Sequence, residues 1–272
     1  MQKQQDLLTE TDWNVLIILD ACRAESFRRI VPQAETVRAM DFCTYRWMPK
    51  LAGILAERDT LYVSANPVCE RELAWKRSHP SIHWVSVWQS AWGRYGPHKM
   101  PTVHPANVNQ AVRRYVAEHG QPALMVIHYV QPHMPYIGEH SIPYADWGPV
   151  ARCEFAGDLH GRKHPREAVQ KELLTREDVA RAYEGNVDLV VPYAQRLAET
   201  LQGTVVVTAD HGELLGEDGK YGHMAGPRTQ LMEVPWWVHV NGAYKAAPIP
   251  VEIGEPGMDP EMQAKLEAIG YA

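Results

Sequence analysis

Three side chains that often bind metal ions follow two apolar segments of the chain. Asp20 directly follows the run Val15–Leu19, and Asp210 and His211 lie just beyond the run Val205–Thr208. In an open α/β sheet, ligands bind at the carboxyl ends of the strands, so these residues are expected to meet there. Two carboxylates and one imidazole would form a pocket for a divalent metal ion. The alternative is that each aspartate caps the helix after its strand.

A histidine lies beyond a third apolar run, Leu124–Val130. His133 stands between two prolines in the segment Gln131–Tyr136, and such a turn fixes the backbone and aims the imidazole. His133 is therefore a candidate site residue. His128, which lies inside the apolar run itself, is predicted to be structural.

A glycine-rich loop, Gly216–His223, follows the Asp210 segment closely. It carries Lys220 and His223, each directly after a glycine. Its position makes both side chains candidates for contact with a substrate. An ordinary surface turn is the alternative, because glycine-rich loops also occur without a function.

Apolar runs that alternate with helical patterns must position these residues. Continuous apolar strands indicate a parallel sheet covered on both faces. Strands separated by helices favour a doubly wound α/β domain. The predicted strands are Val15–Leu19, Leu61–Ser64, Ile82–Val87, Leu124–Val130, Val205–Thr208 and Trp236–Val240, and the predicted helices are Ala24–Ile30, Trp47–Arg58, Asn107–Glu118 and Arg176–Leu201. The segment from Pro135 to about Pro165 is predicted to be a long loop or lid.

Composition excludes several other classes of protein. The 272 residues carry a net charge of −6, so charge alone gives no basis for nucleic-acid binding. Val15–Leu19, the longest apolar run, is too short for a membrane span, and residues 1–12 do not resemble a secretory signal. Four scattered cysteines are expected to be reduced thiols, which favours a cytoplasmic location. The nine tryptophans are expected in the core or in a homo-oligomer interface, with a glycan-binding cleft as the alternative.

Several segments together resemble the sulfatases of the alkaline phosphatase superfamily. Thr208–His223 resembles their metal-binding signature, and Leu231–Val238 is similar to the stretch that follows it. Ile17–Glu25 is similar to the first sulfatase strand with its Asp-x-x-Arg-x-acid continuation. Gln131–Tyr136 resembles the Pro-His-x-Pro-Tyr element, and Lys265–Tyr271 resembles the Leu-x-x-Leu-Gly-Tyr ending. The resemblance implies a three-layer α/β/α sandwich of the alkaline phosphatase type around a mostly parallel sheet.

The resemblance also implies roles for single residues. The metal would be bound by Asp20, Asp210 and His211. The anionic ester would be contacted by His133, Lys220 and His223, or His223 would serve a second metal. One departure is that sulfatases usually have paired aspartates after the first strand, whereas Ala21 follows Asp20 here. The chain is also short for the family, so we expect one domain over 1–272 with the C-terminal subdomain reduced to about 241–272.

The nucleophile of the family lies at a helix N-terminus, where backbone N–H groups favour an anion. Sulfatases use Cys-x-Pro-x-Arg, whose cysteine is oxidised to formylglycine. Cys43 occupies the cysteine position, but Tyr45 replaces the proline and Trp47 replaces the arginine. Thr44 is the nucleophile type of the phosphodiesterase and phosphotransferase branches, and a metal beside its hydroxyl would position it and lower its pKa. We favour Thr44 as nucleophile and metal contact. The alternatives are Cys43, or neither residue, with Thr44 only capping the helix.

The expected function is metal-dependent hydrolysis of a small-molecule or glycan-linked phosphate or sulfate ester. Phosphate is favoured because the formylglycine motif is broken. Mixed oxygen and nitrogen ligands suit Zn²⁺ or Mn²⁺ better than Ca²⁺. The alternatives are a transferase that moves a phospho-group onto a glycan or lipid headgroup, and a non-catalytic binding domain that retains the fold.

Overall fold

A seven-stranded sheet lies at the centre of the protein. The structure is a computed structural model that describes residues 1–67, 69, 79–145, 164–242 and 246–249. The strands, in chain order, are β1 (Val15–Leu19), β2 (Glu35–Arg38), β3 (Thr60–Ser64), β4 (Ile82–Ser86), β5 (Trp92–Tyr95), β6 (Met100–Val103), β7 (Met125–Tyr129), β8 (Thr204–Thr208), β9 (Leu214–Leu215), β10 (Tyr221–Gly222) and β11 (Glu233–Val240).

The strand order of the central sheet is β2-β11-β8-β1-β7-β3-β4. Strand β1 pairs in parallel with both β7 and β8, and β3 pairs in parallel with β7 and β4. Strand β11 runs antiparallel to its two neighbours. The sheet is therefore mostly parallel, as predicted. Two short antiparallel pairs, β5 with β6 and β9 with β10, complete the described strands.

Helices flank the sheet and confirm the predicted α/β/α architecture. They are α1 (Gln4–Glu10), α2 (Ala24–Ile30), α3 (Thr44–Leu55), α4 (Val87–Ala91), α5 (Pro105–His119), α6 (Pro165–Gln170), α7 (Arg176–Thr200) and α8 (Thr229–Met232), with a 3₁₀ turn at Glu217–Gly219. The predicted bounds Trp47–Arg58 were wrong at both ends, because α3 begins three residues before Trp47 and ends three residues before Arg58. None of the described helices is long and apolar enough to cross a bilayer.

Helix α7 shows why the sequence folds in this way. Thr175 caps its N-terminus, and the Asp178 side chain accepts the Thr175 backbone N–H in return, which forms a capping box. Its predicted apolar stripe is buried at Val187, Val190, Val191, Ala194, Leu197 and Leu201. All five residues of β1 are buried as well, as expected for a central strand. Trp13, Trp47, Trp84, Trp88 and Trp236 lie in the core, as predicted.

Part of the sequence prediction lies outside the described residues. Cys153, the Lys265–Tyr271 ending, and most of both the predicted lid and the 241–272 segment belong to this part. Of the remaining cysteines, Cys22, Cys43 and Cys69 are free and buried thiols. The single-domain organisation stays a prediction.

Candidate functional site

Asp20 and Asp210 meet at the carboxyl edge of the sheet because their strands are neighbours. Strand β1 pairs with β8, so the residues after their ends lie side by side. Asp210 Oδ1 accepts the backbone N–H groups of Ala21 at 3.1 Å and His211 at 2.9 Å. Ala21 has a φ of 60°, a left-handed conformation that is uncommon outside glycine. The turn at Ala21 thereby holds Asp210 with its Oδ2 free to face the site.

Thr44 lies at the N-terminus of α3, with its hydroxyl directed at Asp210. Thr44 Oγ1 donates to Asp210 Oδ2 at 2.6 Å and lies 3.2 Å from His211 Nε2. Cys43, not Thr44, occupies the N-cap position, and no side chain caps this helix end. The Thr44 hydroxyl therefore contacts the metal-ligating candidates rather than the helix.

The tautomer of His211 follows from its surroundings. His211 Nδ1 lies 2.7 Å from the carbonyl oxygen of Gly212, so Nδ1 carries the proton and donates it. The bare Nε2 lies 3.6 Å from Asp20 Oδ1 and 3.5 Å from Asp210 Oδ2. Burial, followed by the neighbouring His223, lowers the pKa of His211 well below its usual value. A neutral imidazole with its second nitrogen anchored is the usual form of a metal ligand.

The environment of Asp20 fits a cation. Asp20 Oδ2 accepts from the Asn66 amide at 2.5 Å, whereas the buried Oδ1 has no hydrogen-bond partner among the described residues. Burial raises the pKa of Asp20, and the carboxylates of Asp210 and Glu213 raise it further. Buried like charges of this kind are costly unless a cation offsets them. Asp20, Thr44, Asp210 and His211 together offer oxygen and nitrogen ligands that suit a divalent metal.

A second cluster lies beside the first and consists of His133, Glu213 and His223. Their ligand atoms all lie within 4.8 Å of one another. His223 Nδ1 is 3.2 Å from Glu213 Oε1, and His133 Nε2 is 4.0 Å from Glu213 Oε2. The His211 and His223 ring centroids are 4.4 Å apart, so the two clusters form one continuous site. The second cluster could bind a second cation or the anionic part of a substrate.

Charge is unevenly distributed within this second cluster. Burial opposes ionisation of Glu213, but the nearby imidazoles, His223 first, outweigh it and lower the pKa of Glu213 to about 2. Burial also disfavours a charged His223, but the charge and hydrogen bond of Glu213 raise the pKa of His223 above its usual value. Burial lowers the pKa of His133. In the absence of a cation, Glu213 and His223 therefore form a carboxylate–imidazolium pair next to a neutral His133.

Two predicted site residues differ from the others in their surroundings. Lys220 is exposed, and its side chain makes no hydrogen bond or ion pair with the described residues. Its contact with substrate stays a prediction. Cys43 is buried, and this burial raises the pKa of its thiol, so the thiol is protonated near neutral pH.

Sequence reasoning missed three residues of the site. Glu213 lies within the Thr208–His223 signature but is assigned no role from the sequence, although its place three residues after Asp210 was a usable signal. Asn66 follows the carboxyl end of β3, which is the same rule that identified Asp20. His128 was predicted to be structural, yet its Nε2 lies 3.9 Å from Asp210 Oδ2.

Comparisons with known proteins agree with this geometry. A model of the Sulfatase family matches residues 64–257, which is most of the chain. No curated protein matches the sequence significantly. Family members of this kind cleave or transfer ester groups and are typically metal-dependent.

Solved structures share the fold at low sequence identity. The soluble domain of lipooligosaccharide phosphoethanolamine transferase A from Neisseria meningitidis is similar with a TM-score of 0.56 and 13% identity, over 83% of this chain and 76% of that one. The corresponding integral membrane protein gives a TM-score of 0.54 and 14% identity, over 84% of this chain. The chain spans 48% of that membrane protein, or about half its length. A phosphonate monoester hydrolase from Silicibacter pomeroyi gives a TM-score of 0.44 and 15% identity, over 86% and 69% of the two chains.

A mostly parallel sheet with carboxylates and imidazoles at one edge defines the alkaline phosphatase-like class of α/β proteins. Within that class, the family match covers well over half of the sequence. The chain belongs to the sulfatase family.

Proposed function

We propose that the protein cleaves a phosphate ester in a metal-dependent reaction with Thr44 as the nucleophile. The observation that carries this proposal is the position of Thr44 Oγ1, 2.6 Å from Asp210 Oδ2 and 3.2 Å from His211 Nε2 at the start of α3. An alcohol becomes a good nucleophile when a base or a cation stabilises its alkoxide. Asp210 offers the base, the ligands around Thr44 would hold the cation, and the N–H groups of the helix start favour a phosphoryl group there.

The metal would be bound by Asp20, Thr44, Asp210 and His211. When bound, it supplies positive charge that lowers the pKa of the Thr44 hydroxyl and offsets charge on the nonbridging oxygens. Zn²⁺ and Mn²⁺ are the favoured ions because the ligands mix oxygen and nitrogen.

The first half of the reaction forms a covalent phosphothreonine. Thr44 Oγ1 attacks phosphorus as its proton leaves toward Asp210 Oδ2, and the bond from phosphorus to the leaving oxygen breaks. The His223 imidazolium, paired with Glu213, would protonate that leaving oxygen. In the second half, neutral His223 accepts a proton from the attacking water, and the bond from phosphorus to Thr44 breaks as Asp210 returns its proton to Thr44 Oγ1.

Phosphate is preferred over sulfate because Cys43 is unsuited to the sulfatase reaction. Its thiol is buried and protonated, and the residues that normally direct its oxidation are replaced by Tyr45 and Trp47. A hydroxyl nucleophile at the adjacent Thr44 performs phosphoryl transfer without that modification.

Transfer of a phospho-group to a glycan or lipid headgroup is the second candidate. Two solved structures with this fold are of one protein named a phosphoethanolamine transferase. A phosphothreonine could pass its group to an alcohol as readily as to water. The two candidates share the first half-reaction and differ in the acceptor that reaches Thr44.

A panel of aryl esters tests the proposal. The protein reconstituted with Zn²⁺ or Mn²⁺ should release nitrophenol from phosphate mono- or diesters in preference to the sulfate ester. Rapid acid quench followed by peptide mass spectrometry should locate a phosphoryl group on Thr44. Added alcohols that divert the product away from inorganic phosphate would favour the transferase. Absence of turnover on every phosphate ester, with preserved metal binding, would favour a non-catalytic binding domain.

A further inference from the structure

His128 lies in the middle of the sheet, directly behind the proposed metal ligands. Strand β7, which carries it, is paired with β1 on one side and β3 on the other, and His128 is level with Ile18 and Ser64. Its side chain is fully buried. The mechanism above assigns it no role, and sequence reasoning predicts a structural one.

Two buried ligand atoms at this position lack hydrogen-bond partners. His128 Nε2 and Asp20 Oδ1 are both without one among the described residues. Together with an oxygen of Asp210 they form a group in which all ligand atoms lie within 4.8 Å. Orphaned buried polar atoms are rare in folded proteins, and an ion that binds both explains them together.

The other ring nitrogen of His128, Nδ1, has hydrogen-bond partners. Nδ1 lies 2.8 Å from Tyr62 Oη, and Tyr62 donates its own proton to Met48 Sδ at 3.1 Å. With the Tyr62 proton directed at Met48, the tautomer that satisfies this contact carries the proton on Nδ1 and donates it to Tyr62 Oη, with Cys69 Sγ close by at 3.2 Å. In this tautomer Nε2 is a bare lone pair that faces Asp20 and Asp210.

A direct hydrogen bond between His128 and Asp210 does not explain the geometry. The 3.9 Å between His128 Nε2 and Asp210 Oδ2 is too long for such a bond, and Oδ2 already accepts from Thr44. Two ligands of one zinc ion, each at roughly 2.0–2.2 Å from it, lie about 3–4 Å apart. The distances from Asp210 Oδ2 to His211 and to His128 both fall in that range.

We propose that His128 is a direct ligand of the metal, in addition to Asp20, Thr44, Asp210 and His211. The inference rests on the proposed metal centre and adds a second imidazole to it. Two imidazoles with three oxygen ligands favour borderline metals such as Zn²⁺ over the hard Ca²⁺ and Mg²⁺. The Tyr62–Met48 chain is the support that fixes this ligand in its binding tautomer.

The inference is tested by measuring the affinity for Zn²⁺ and the number of imidazole ligands of the metal, neither of which depends on turnover. Zn²⁺ affinity is determined by competition with a chromophoric chelator, and the Co²⁺-substituted protein is examined by visible absorption. His128→Gln should weaken Zn²⁺ binding by at least roughly 10–100-fold, the loss typical even of residues that only support a ligand. It should also change the Co²⁺ d–d spectrum. X-ray absorption on the zinc protein should count two imidazoles in the wild type and one in the variant.

Matched variants keep the result interpretable. His239→Gln removes an imidazole on β11 that bonds to Asn241, outside both clusters, and should leave the Zn²⁺ affinity and the Co²⁺ spectrum unchanged. Tyr62→Phe keeps the core volume but removes the acceptor of His128 Nδ1, so it should weaken Zn²⁺ binding even if His128→Gln does not fold. Unchanged affinity and spectrum in both His128→Gln and Tyr62→Phe would overturn the inference and leave the metal centre intact. A wild-type protein that binds no metal would instead overturn the proposed function as well.

Discussion

At the residue scale, Thr44 and Cys43 are adjacent but have different surroundings. The Thr44 hydroxyl faces Asp210 and His211, whereas burial keeps the Cys43 thiol protonated. Thr44→Ala should therefore lower kcat on the best phosphate ester by roughly 10³-fold or more, as expected for the loss of a covalent nucleophile. Cys43→Ala should cost far less, which makes it the matched control. The reverse ranking, or formylglycine at Cys43 in the intact mass, would move the nucleophile to Cys43 and the substrate to sulfate.

The protonation of His128 gives a second residue-scale prediction. Burial lowers its pKa from 6.5 to about 4, opposed by Asp210 and assisted by His211. Above pH 6.5, His128 is neutral whether the chain is folded or unfolded, so it costs no stability. As the pH falls from 6.5 toward 4, His128 binds a proton in the unfolded chain but not in the folded protein. The free energy of unfolding therefore decreases by roughly 3 kcal/mol.

Denaturant unfolding of the metal-free protein, with chelator present, measures this effect. Buried His133 and His211 have lowered pKa values too, so the comparison is between the wild type and His128→Gln. The variant should lose less stability than the wild type between pH 6.5 and pH 4. If the free energy of unfolding fell equally with pH in the two proteins over that window, the lowered pKa of His128 would be contradicted.

The limits of sequence reasoning are also visible at this scale. Asp20 and Asp210 were predictable because residues that follow neighbouring parallel strands must lie side by side. His128 was not, because an apolar strand shows that its histidine is buried but not which groups surround it. The position of Glu213 three residues after Asp210 was a usable signal, but no local pattern encodes its approach to His133 and His223.

At the element scale, one side chain on α7 positions the loop that carries His133. Asn186 is fully buried. Its amide nitrogen lies 3.1–3.3 Å from three loop carbonyls, and its amide oxygen accepts the N–H groups of Ile137 and Gly138. The His133 backbone N–H also donates to Asp20 O at 3.0 Å, so the loop is tied both to α7 and to the end of β1.

Asn186→Leu should therefore impair catalysis as well as stability. Loss of the five hydrogen bonds frees the loop, and a displacement of about 1 Å at His133 can cost roughly 10²-fold in kcat/KM. Asn109→Leu is the matched control, because Asn109 is a buried asparagine on α5 that binds Tyr129 and the Tyr193 carbonyl instead. Both variants should unfold at lower denaturant concentration, but only Asn186→Leu should lose activity. Equal kinetics in the two would show that Asn186 is merely structural.

The elements that were predicted and those that were missed differ in their burial. Strands β1, β3, β7 and β8 have nearly continuous apolar sequences and were found to within one residue at each end. Strand β2 has only Val37 buried, and its one strand partner is β11, with a single further bridge from Arg38 to Lys3. Its sequence therefore carries no apolar run. The β5–β6 pair contains Gly93 and Pro101, which weaken a strand pattern. The antiparallel direction of β11 depends on long-range pairing that no local pattern encodes.

At the scale of the whole molecule, the described residues form one main hydrophobic core. One edge of the central sheet carries both clusters of the candidate site. The cytoplasmic location and the homo-oligomer stay predictions. Three carboxylates, those of Asp20, Asp210 and Glu213, are fully or almost fully buried within this one site. The Asp20 carboxylate opposes folding there, because it has lost its water and is repelled by Asp210 and Glu213. A bound cation would reverse this penalty, so stability and metal binding are linked.

The linkage predicts opposite effects of one substitution with and without metal. In the metal-free protein, burial, Asp210 and Glu213 raise the pKa of the Asp20 carboxyl and disfavour its charged form. Asp20→Asn removes this ionisable group, so the variant should melt no lower than the wild type. A metal at 1,000 times its Kd should stabilise the wild type by about 4 kcal/mol. At roughly 2–4 °C per kcal/mol, this raises Tm by roughly 10 °C. Asp20→Asn should show little of this increase, because it loses a charged ligand.

Calorimetry of both proteins, with chelator and with Zn²⁺, measures the four melting temperatures. Equal metal-induced shifts in the two would mean that Asp20 is not a ligand, and a much lower metal-free Tm of the variant would mean that its carboxylate stabilises the fold by other contacts.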